Sequence, residues 1–267
     1  MVMGSRLSYG PSMAHRYPDS AVLYRGLDRA FPRIVRGRGA WLYDETGKDY
    51  LDASGGAYAA SLGHGVAEIA AAVAAQMERV AFVSGTAFTN DAVEELAAEL
   101  LPLGIGDLDK HYFLTSGSDA VEAALKLARQ YWVEAGRATK HKIIALEPGY
   151  HGNTILALSA SARPRYQRLY GDWLVPVTRI PAPYPYRCGC EGAANCPRCS
   201  GALLEEAILR EGADTVAAFI GETVGGSSTG ASVPRPEYWR TIREICDRHG
   251  VLWIADEVLV GSGRTGT

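Results

Sequence analysis

The chain has 267 residues, of which 47% are hydrophobic and 21% charged, and its formal net charge is -3 at pH 7. That suffices for one large domain or a domain and a half with a sizeable core, and the balanced charge argues against nucleic acid or an anionic membrane as partner. No apolar run approaches the ~20 residues of a membrane span, and the opening MVMGSRLSYGPSMAHRYPDS lacks the apolar segment of a signal peptide, so a cytoplasmic protein with a loose N-terminal arm is expected.

In chain order, Ala40–Ala53 reads as a hairpin, with two short apolar runs flanking the turn-forming Asp44-Glu45-Thr46-Gly47-Lys48. Loop residues Ser54-Gly55-Gly56 and Ser61-Leu62-Gly63-His64-Gly65 follow, then an alanine-rich helix over Val66–Val80 and another over Asn90–Leu100, capped by Asn90 or Asp91. Strands expected at His111–Leu114, Lys142–Leu146, Val216–Ile220 and Val251–Ala255 then alternate with helices at Asp119–Tyr131, Leu203–Arg210 and Glu237–His249. On the first of these helices Val121, Leu125, Ala128 and Trp132 share one face, and Glu122 and Lys126 are spaced as a surface i,i+4 pair. The Pro-, Gly- and Cys-rich stretch Ile180–Cys199 reads as an excursion from the sheet. The alternation predicts an α/β domain with a mostly parallel sheet and helices on both faces.

Ligands of such sheets bind beyond the carboxyl ends of the strands, so the polar residues there carry the chemistry. Ser116-Gly117-Ser118 opens a helix after an apolar run, a turn that either holds an anion on free N–H groups or leaves Ser118 as a plain helix cap. Asp256 emerges from an apolar strand and needs a cationic partner, either an internal arginine or a protonated heterocycle nitrogen. Tyr150, between Gly149 and Gly152, either stacks on a flat ring or simply packs, and Glu222 adds a second carboxylate at the same edge. His151 is the one histidine beside this set, and from the residues alone it reads as an ordinary loop histidine. Arg163, Arg165 and Arg168 read as a solvated face. Together these groups describe a phosphate, an aromatic ring and a basic nitrogen, which fits pyridoxal phosphate.

The segments Gly39–Ala53, Leu62-Gly63-His64-Gly65, SGSDAVEAALKLARQY at Ser116–Tyr131, Tyr150-His151-Gly152, Ala218-Phe219-Ile220-Gly221-Glu222 and Arg243–Thr267, with its DEV and GRTG, resemble class III pyridoxal-phosphate-dependent aminotransferases in order and spacing. The resemblance runs from about Tyr24 to the last residue. It implies the large domain of a fold type I transferase, incomplete at its C-terminus, with residues 1–53 as arm and part of a small domain and 54–267 as part of the large one. It further implies a homodimer that moves an amino group from an amine or amino acid donor to a 2-keto acid. Ser116, Gly117 and Ser118 would then bind the cofactor phosphate, Tyr150 would stack on the ring with Val258 behind it, and His151 joins the cofactor-binding set. Asp256 would pair with the ring nitrogen, Glu222 would lie near the cofactor oxygen, and Tyr58 would face the substrate.

Two departures from the family pattern stand out. Where relatives have a glutamine, this chain has Gly225, and the glutamate that gates dicarboxylate substrates falls at Ser227. None of the five lysines, Lys48, Lys110, Lys126, Lys140 and Lys142, follows Asp256, so the Schiff-base lysine is absent and the chain alone is expected to be inactive. Aminomutase or racemase chemistry on the same cofactor, and a non-catalytic pseudo-enzyme, remain alternatives. Two rival motifs are present. Gly261-Ser262-Gly263-Arg264-Thr265-Gly266 matches a dinucleotide fingerprint by letter but lacks the acid that should follow. Cys188-x-Cys190-x5-Cys196-x2-Cys199 has the compactness of a zinc-binding loop, although no metal is assigned to the catalytic site. Cys246 lies on an apolar helix face and reads as core.

Overall fold

Short aliphatic strands separated by helices of matching apolar period build most of this chain. The computed structural model describes residues 20–188 and 196–266. The chain divides into two compact units, Met1–Lys110 and His111–Thr267.

In the first unit β1 (Ile34–Arg38), β2 (Trp41–Asp44) and β3 (Asp49–Leu51) form an antiparallel meander, with Arg38 opposite Trp41 and Trp41 opposite Leu51. The expected hairpin turn is organised by one carboxylate. Asp44 accepts from the Thr46 hydroxyl (2.7 Å), the Thr46 and Lys48 backbone N–H groups (2.9 and 3.0 Å) and the Tyr50 hydroxyl (2.8 Å). Chiefly through the Thr46 hydroxyl, these donors hold the Asp44 carboxyl down at about 2. Helix α1 (Ala67–Arg79) and helix α2 (Asp91–Leu100) follow, and Asn90 rather than Asp91 is the cap, its side chain accepting from Val93 N–H.

The second unit carries a four-stranded, fully parallel sheet in the order β5-β4-β6-β7, where β4 is Lys142–Glu147, β5 Thr178–Pro181, β6 Val216–Glu222 and β7 Leu252–Asp256. Side-chain alternation splits the core into two layers. Ile144, Leu146 and Phe219 face helix α6 (Ala202–Glu211) and helix α7 (Pro236–His249), meeting Leu204, Ile208, Tyr238 and Ile242. Ala145 and Ile220 face helix α3 (Gly117–Glu134) and helix α4 (Ile155–Ala160), meeting Val121, Leu125, Ala157 and Ala160. Helix α5 (Pro164–Tyr170) follows α4 in the chain, and helices thus cover both faces of the sheet, as the alternation predicted. Among the described residues no helix is long and apolar enough to cross a membrane.

Three local expectations are corrected. His111–Leu114 is not a strand; a ladder needs a neighbour to bond with, and no described strand runs beside it. Ile180 and Pro181 belong to β5 in register with Leu146 and Glu147, so the excursion starts only after Pro181. Glu122 does not make its primary bonds to Lys126. Its carboxylate accepts from Thr154 Oγ1 (2.6 Å) and from the N–H groups of Leu156 and Ala157 (3.1 and 3.2 Å), satisfying the otherwise unbonded start of α4.

Phe219 is fully buried in the α6/α7 layer, so Phe219→Ala should lower unfolding free energy by about 3–5 kcal/mol in urea titration. An aspartate with a lowered native pKa stabilises the fold above its unfolded value of 3.8 and loses that contribution as pH falls toward 2. The melting temperature of Asp44→Asn should therefore lie below wild type at pH 7, and the gap should close on acidification through that window.

Candidate functional site

Because β4, β6 and β7 run parallel, their carboxyl ends meet along one edge, and Glu222 stands in register beside Asp256. Both are buried acids, and each recruits a loop.

Asp256 is bonded at both oxygens. Its Oδ2 lies 2.6 Å from His151 Nδ1, with side-chain exposures of 5% and 0%, and its Oδ1 accepts from Val258 N–H at 3.1 Å. An ionised carboxylate can only accept, so the shared proton is carried by Nδ1. His151 is therefore a buried partner of Asp256 and not an ordinary loop histidine. Its backbone is held as well, since the His151 main-chain N–H donates to the buried Ser161 hydroxyl at 2.8 Å.

Glu222 accepts from Tyr150 N–H (3.2 Å), Gly226 N–H (2.9 Å) and the Ser228 hydroxyl (2.6 Å). It therefore ties the Tyr150 loop to the loop after β6. Within that second loop, a Cβ on Gly225 would stand 1.7 Å from Thr229 Oγ1. A side chain at this position therefore requires the Thr229 side chain to move.

The Ser116-Gly117-Ser118 turn opens α3 at the same edge. Ser116, and not Ser118, is the helix cap: its side chain accepts from Asp119 N–H, and its hydroxyl donates to Asp119 Oδ2 at 2.8 Å. Ser118 Oγ instead accepts from Asn153 N–H at 2.9 Å, joining the helix start to the Tyr150 loop. Two glycines make the approach possible. A Cβ on Gly117 would meet Val258 Cγ1 at 2.7 Å, and one on Gly152, whose φ is +138°, would meet Ser118 Cα at 2.8 Å.

Sequence reasoning missed Arg163, which it placed on a solvated face with Arg165 and Arg168. Arg165 and Arg168 are exposed, but Arg163 donates to Ser227 Oγ and holds its guanidinium 4.7 Å from the Tyr150 ring centroid. Ser161 and Ser228 were missed too; nothing in their spacing marks them, because their roles arise only when loops distant in sequence converge. Tyr58 belongs to the first unit, where it is 47% exposed and sits at a left-handed φ of +74°. Residues 261–265 lie in turns.

The described lysines of the second unit are not at this edge. Lys142 begins β4 and pairs with Glu211 at 3.0 Å. Lys140 is buried at the opposite end of the sheet, donating to the Ala213 and Val216 carbonyls (2.7 and 3.0 Å). Lys126 lies on α3 away from its buried face. In the first unit Lys48 stands 4.9 Å from the Tyr50 ring centroid and Lys110 pairs with Asp109.

Residues 24–267 match the family described as Aminotransferase class-III. An uncharacterised aminotransferase of Schizosaccharomyces pombe is 40% identical over 88% of this chain and 52% of its own length. The taurine–pyruvate aminotransferase of Rhodobacter capsulatus is 37% identical over 88% of this chain and 51% of its own. The crystal structure of a thermostable (S)-enantioselective omega-transaminase from Thermomicrobium roseum superposes with a TM-score of 0.82 at 41% identity, covering 89% of this chain and 53% of that one. The chain spans about half the length of the curated relatives it matches.

His151→Ala should leave Asp256 Oδ2 buried without its partner and cost about 1–3 kcal/mol of stability in urea titration. In an Asp256→Asn background the same change should cost clearly less, whereas additive effects would deny the coupling.

Proposed function

The chain belongs to the class III aminotransferases, and from that premise we propose that it is the N-terminal portion of an enzyme moving an amino group from an amine or amino acid to a 2-keto acid. The family has the fold type I architecture and works through pyridoxal 5'-phosphate. The observation that carries the proposal is the convergence, at one sheet edge, of a helix start with a glycine cradle, a loop tyrosine and a buried acid bonded to a histidine. That donor set fits the cofactor: N–H groups for a phosphate, an aromatic face for a ring, and a carboxylate for a protonated nitrogen.

When bound, pyridoxal phosphate supplies an electron sink for the carbanion formed at the substrate carbon. Gly117 and Ser118 would hold the phosphate at the start of α3, while Ser116 caps the helix beside them. Tyr150 and Val258 would flank the ring. Asp256 would pair with the protonated ring nitrogen, and His151, bonded to its Oδ2, keeps the carboxylate oriented for that task. Glu222 positions Tyr150 through its backbone and would lie near the cofactor oxygen, and by the family pattern Tyr58 would serve the substrate. Ser227 in place of a glutamate argues against a gated dicarboxylate substrate, and pyruvate, named for the Rhodobacter relative, is the first acceptor to try. The whole protein is read as a cytoplasmic homodimer, with residues 1–53 as arm and part of a small domain and residues from 54 onward as part of the large one. Lys126, Lys140 and Lys142 lie away from the carboxyl edge, and in the family pattern the covalent lysine follows Asp256, which none of the five does, so the chain alone is read as unable to turn over.

Borohydride reduction of the protein isolated from its source should fix the cofactor to a lysine other than Lys48, Lys110, Lys126, Lys140 and Lys142. In the same protein Asp256→Asn should reduce amino transfer to pyruvate by about a hundredfold or more, and the 267-residue chain with added cofactor should show none. Label on any of the five lysines, turnover by the chain alone, or racemisation without consumption of keto acid would contradict the reading.

A further inference from the structure

Away from the carboxyl-edge site, the excursion between β5 and α6 holds a cluster of sulfur ligands. Cys188 ends the helical turn Pro185–Cys188, and Cys196 and Cys199 flank and occupy the turn Pro197–Ser200. The three Sγ atoms lie within 4.8 Å of one another, with Cys188 and Cys199 3.4 Å apart. A tetrahedral zinc ion with Zn–S bonds of ~2.3 Å spaces its sulfurs about 3.8 Å apart, so little movement separates this arrangement from a metal site. We propose that Cys188, Cys196 and Cys199 bind a zinc ion that staples the excursion to the second unit.

The surroundings are those of a built site. Backbone N–H groups of Cys199 and Arg198 point at the Cys196 sulfur. Cys199 is buried, and its turn packs against both α6 and α7. The turn is also anchored to the chain leaving β5, because Arg198 Nε donates to the Ala182 carbonyl at 2.6 Å. Next along that chain, the Pro183 carbonyl accepts from Ser232 Oγ at 3.2 Å, in the loop that follows Glu222. A metal here would tie the turn Pro185–Cys188 to the turn Pro197–Ser200, the usual task of a structural thiolate site.

Cys188 is disulfide-bonded in this structure, so loading begins with reduction of that bond. A thiol reductant of the glutathione class supplies two electrons and two protons, is itself oxidised to its disulfide, and leaves two thiols on the protein. Zinc then displaces one proton from each ligating thiol as the Zn–S bonds form. Three thiolates leave one position of the tetrahedron. Cys190, the remaining cysteine of the sequence motif, lies outside the described residues.

The proposal stands independently of the aminotransferase reading, and its test needs no activity. The full chain, expressed in a reducing cytoplasm and purified without chelator, should contain about one zinc per chain by elemental analysis. Cys196→Ser and Cys199→Ser should each lower this to about a tenth or less, while Cys246→Ala, outside the cluster, should keep it. Should the serine variants not fold, cobalt(II) titration of the reduced wild-type chain decides: saturation near one equivalent with a sulfur-to-cobalt charge-transfer band supports the site. Failure of the reduced wild type to take up zinc or cobalt would overturn it. So would undiminished zinc in folded variants, or peptide mapping that finds Cys188 still disulfide-bonded in the cytoplasmic protein.

Discussion

Two carboxylates emerging side by side from a parallel sheet dominate the second unit. Glu222 and Asp256 are adjacent in register and nearly buried, and an unsatisfied buried carboxylate costs several kcal/mol. Each is satisfied by loops that would otherwise have little to fix them. Glu222 gathers the backbone of Tyr150 and Gly226 with the Ser228 hydroxyl, and Asp256 gathers His151 and the backbone of Val258. The same bonds that satisfy the acids therefore place the tyrosine, the histidine and the valine. Satisfying the fold and assembling the site are one set of interactions.

Close approach is the second constraint. The start of α3 reaches the Tyr150 loop only because Gly152 has no side chain, and it reaches Val258 only because Gly117 has none. A third helix-start contact is electrostatic. Glu122, one turn into α3, satisfies the N–H groups opening α4, so the helix opened by the Ser116–Ser118 turn and the helix behind His151 are fixed to each other. Class III membership gives this arrangement its chemical meaning, and the half-length overlap with relatives leaves the covalent lysine to be identified by experiment.

Much of this was legible in the sequence. Elements with their own periodicity, such as α3 with its Val121, Leu125, Ala128 and Trp132 face, appear where expected because burial of one stripe decides them. His111–Leu114 misled because a strand is defined by its neighbour and not by its own composition. Ile180 misled in the opposite direction: the prolines around it read as loop, yet β4 supplies a ladder on its free edge. At the site, Asp256 and Glu222 were visible because acids at the ends of apolar strands are costly and so informative, and Tyr150 and the Ser116–Ser118 turn because glycine-flanked loops and helix starts leave backbone groups to be satisfied. His151 and Arg163 were undervalued because their partners, Asp256 and Tyr150, meet them only in the folded chain, and in the first case across 105 residues.

The central claim is that this edge receives pyridoxal phosphate in one orientation, and a crystal structure of the source protein with the cofactor bound tests it most directly. The account predicts the phosphate on the Gly117 and Ser118 N–H groups at the start of α3, the ring between Tyr150 and Val258, and the ring nitrogen bonded to the Asp256 carboxylate that His151 holds. A phosphate seated elsewhere, or a ring nitrogen that makes no bond to Asp256, would contradict it.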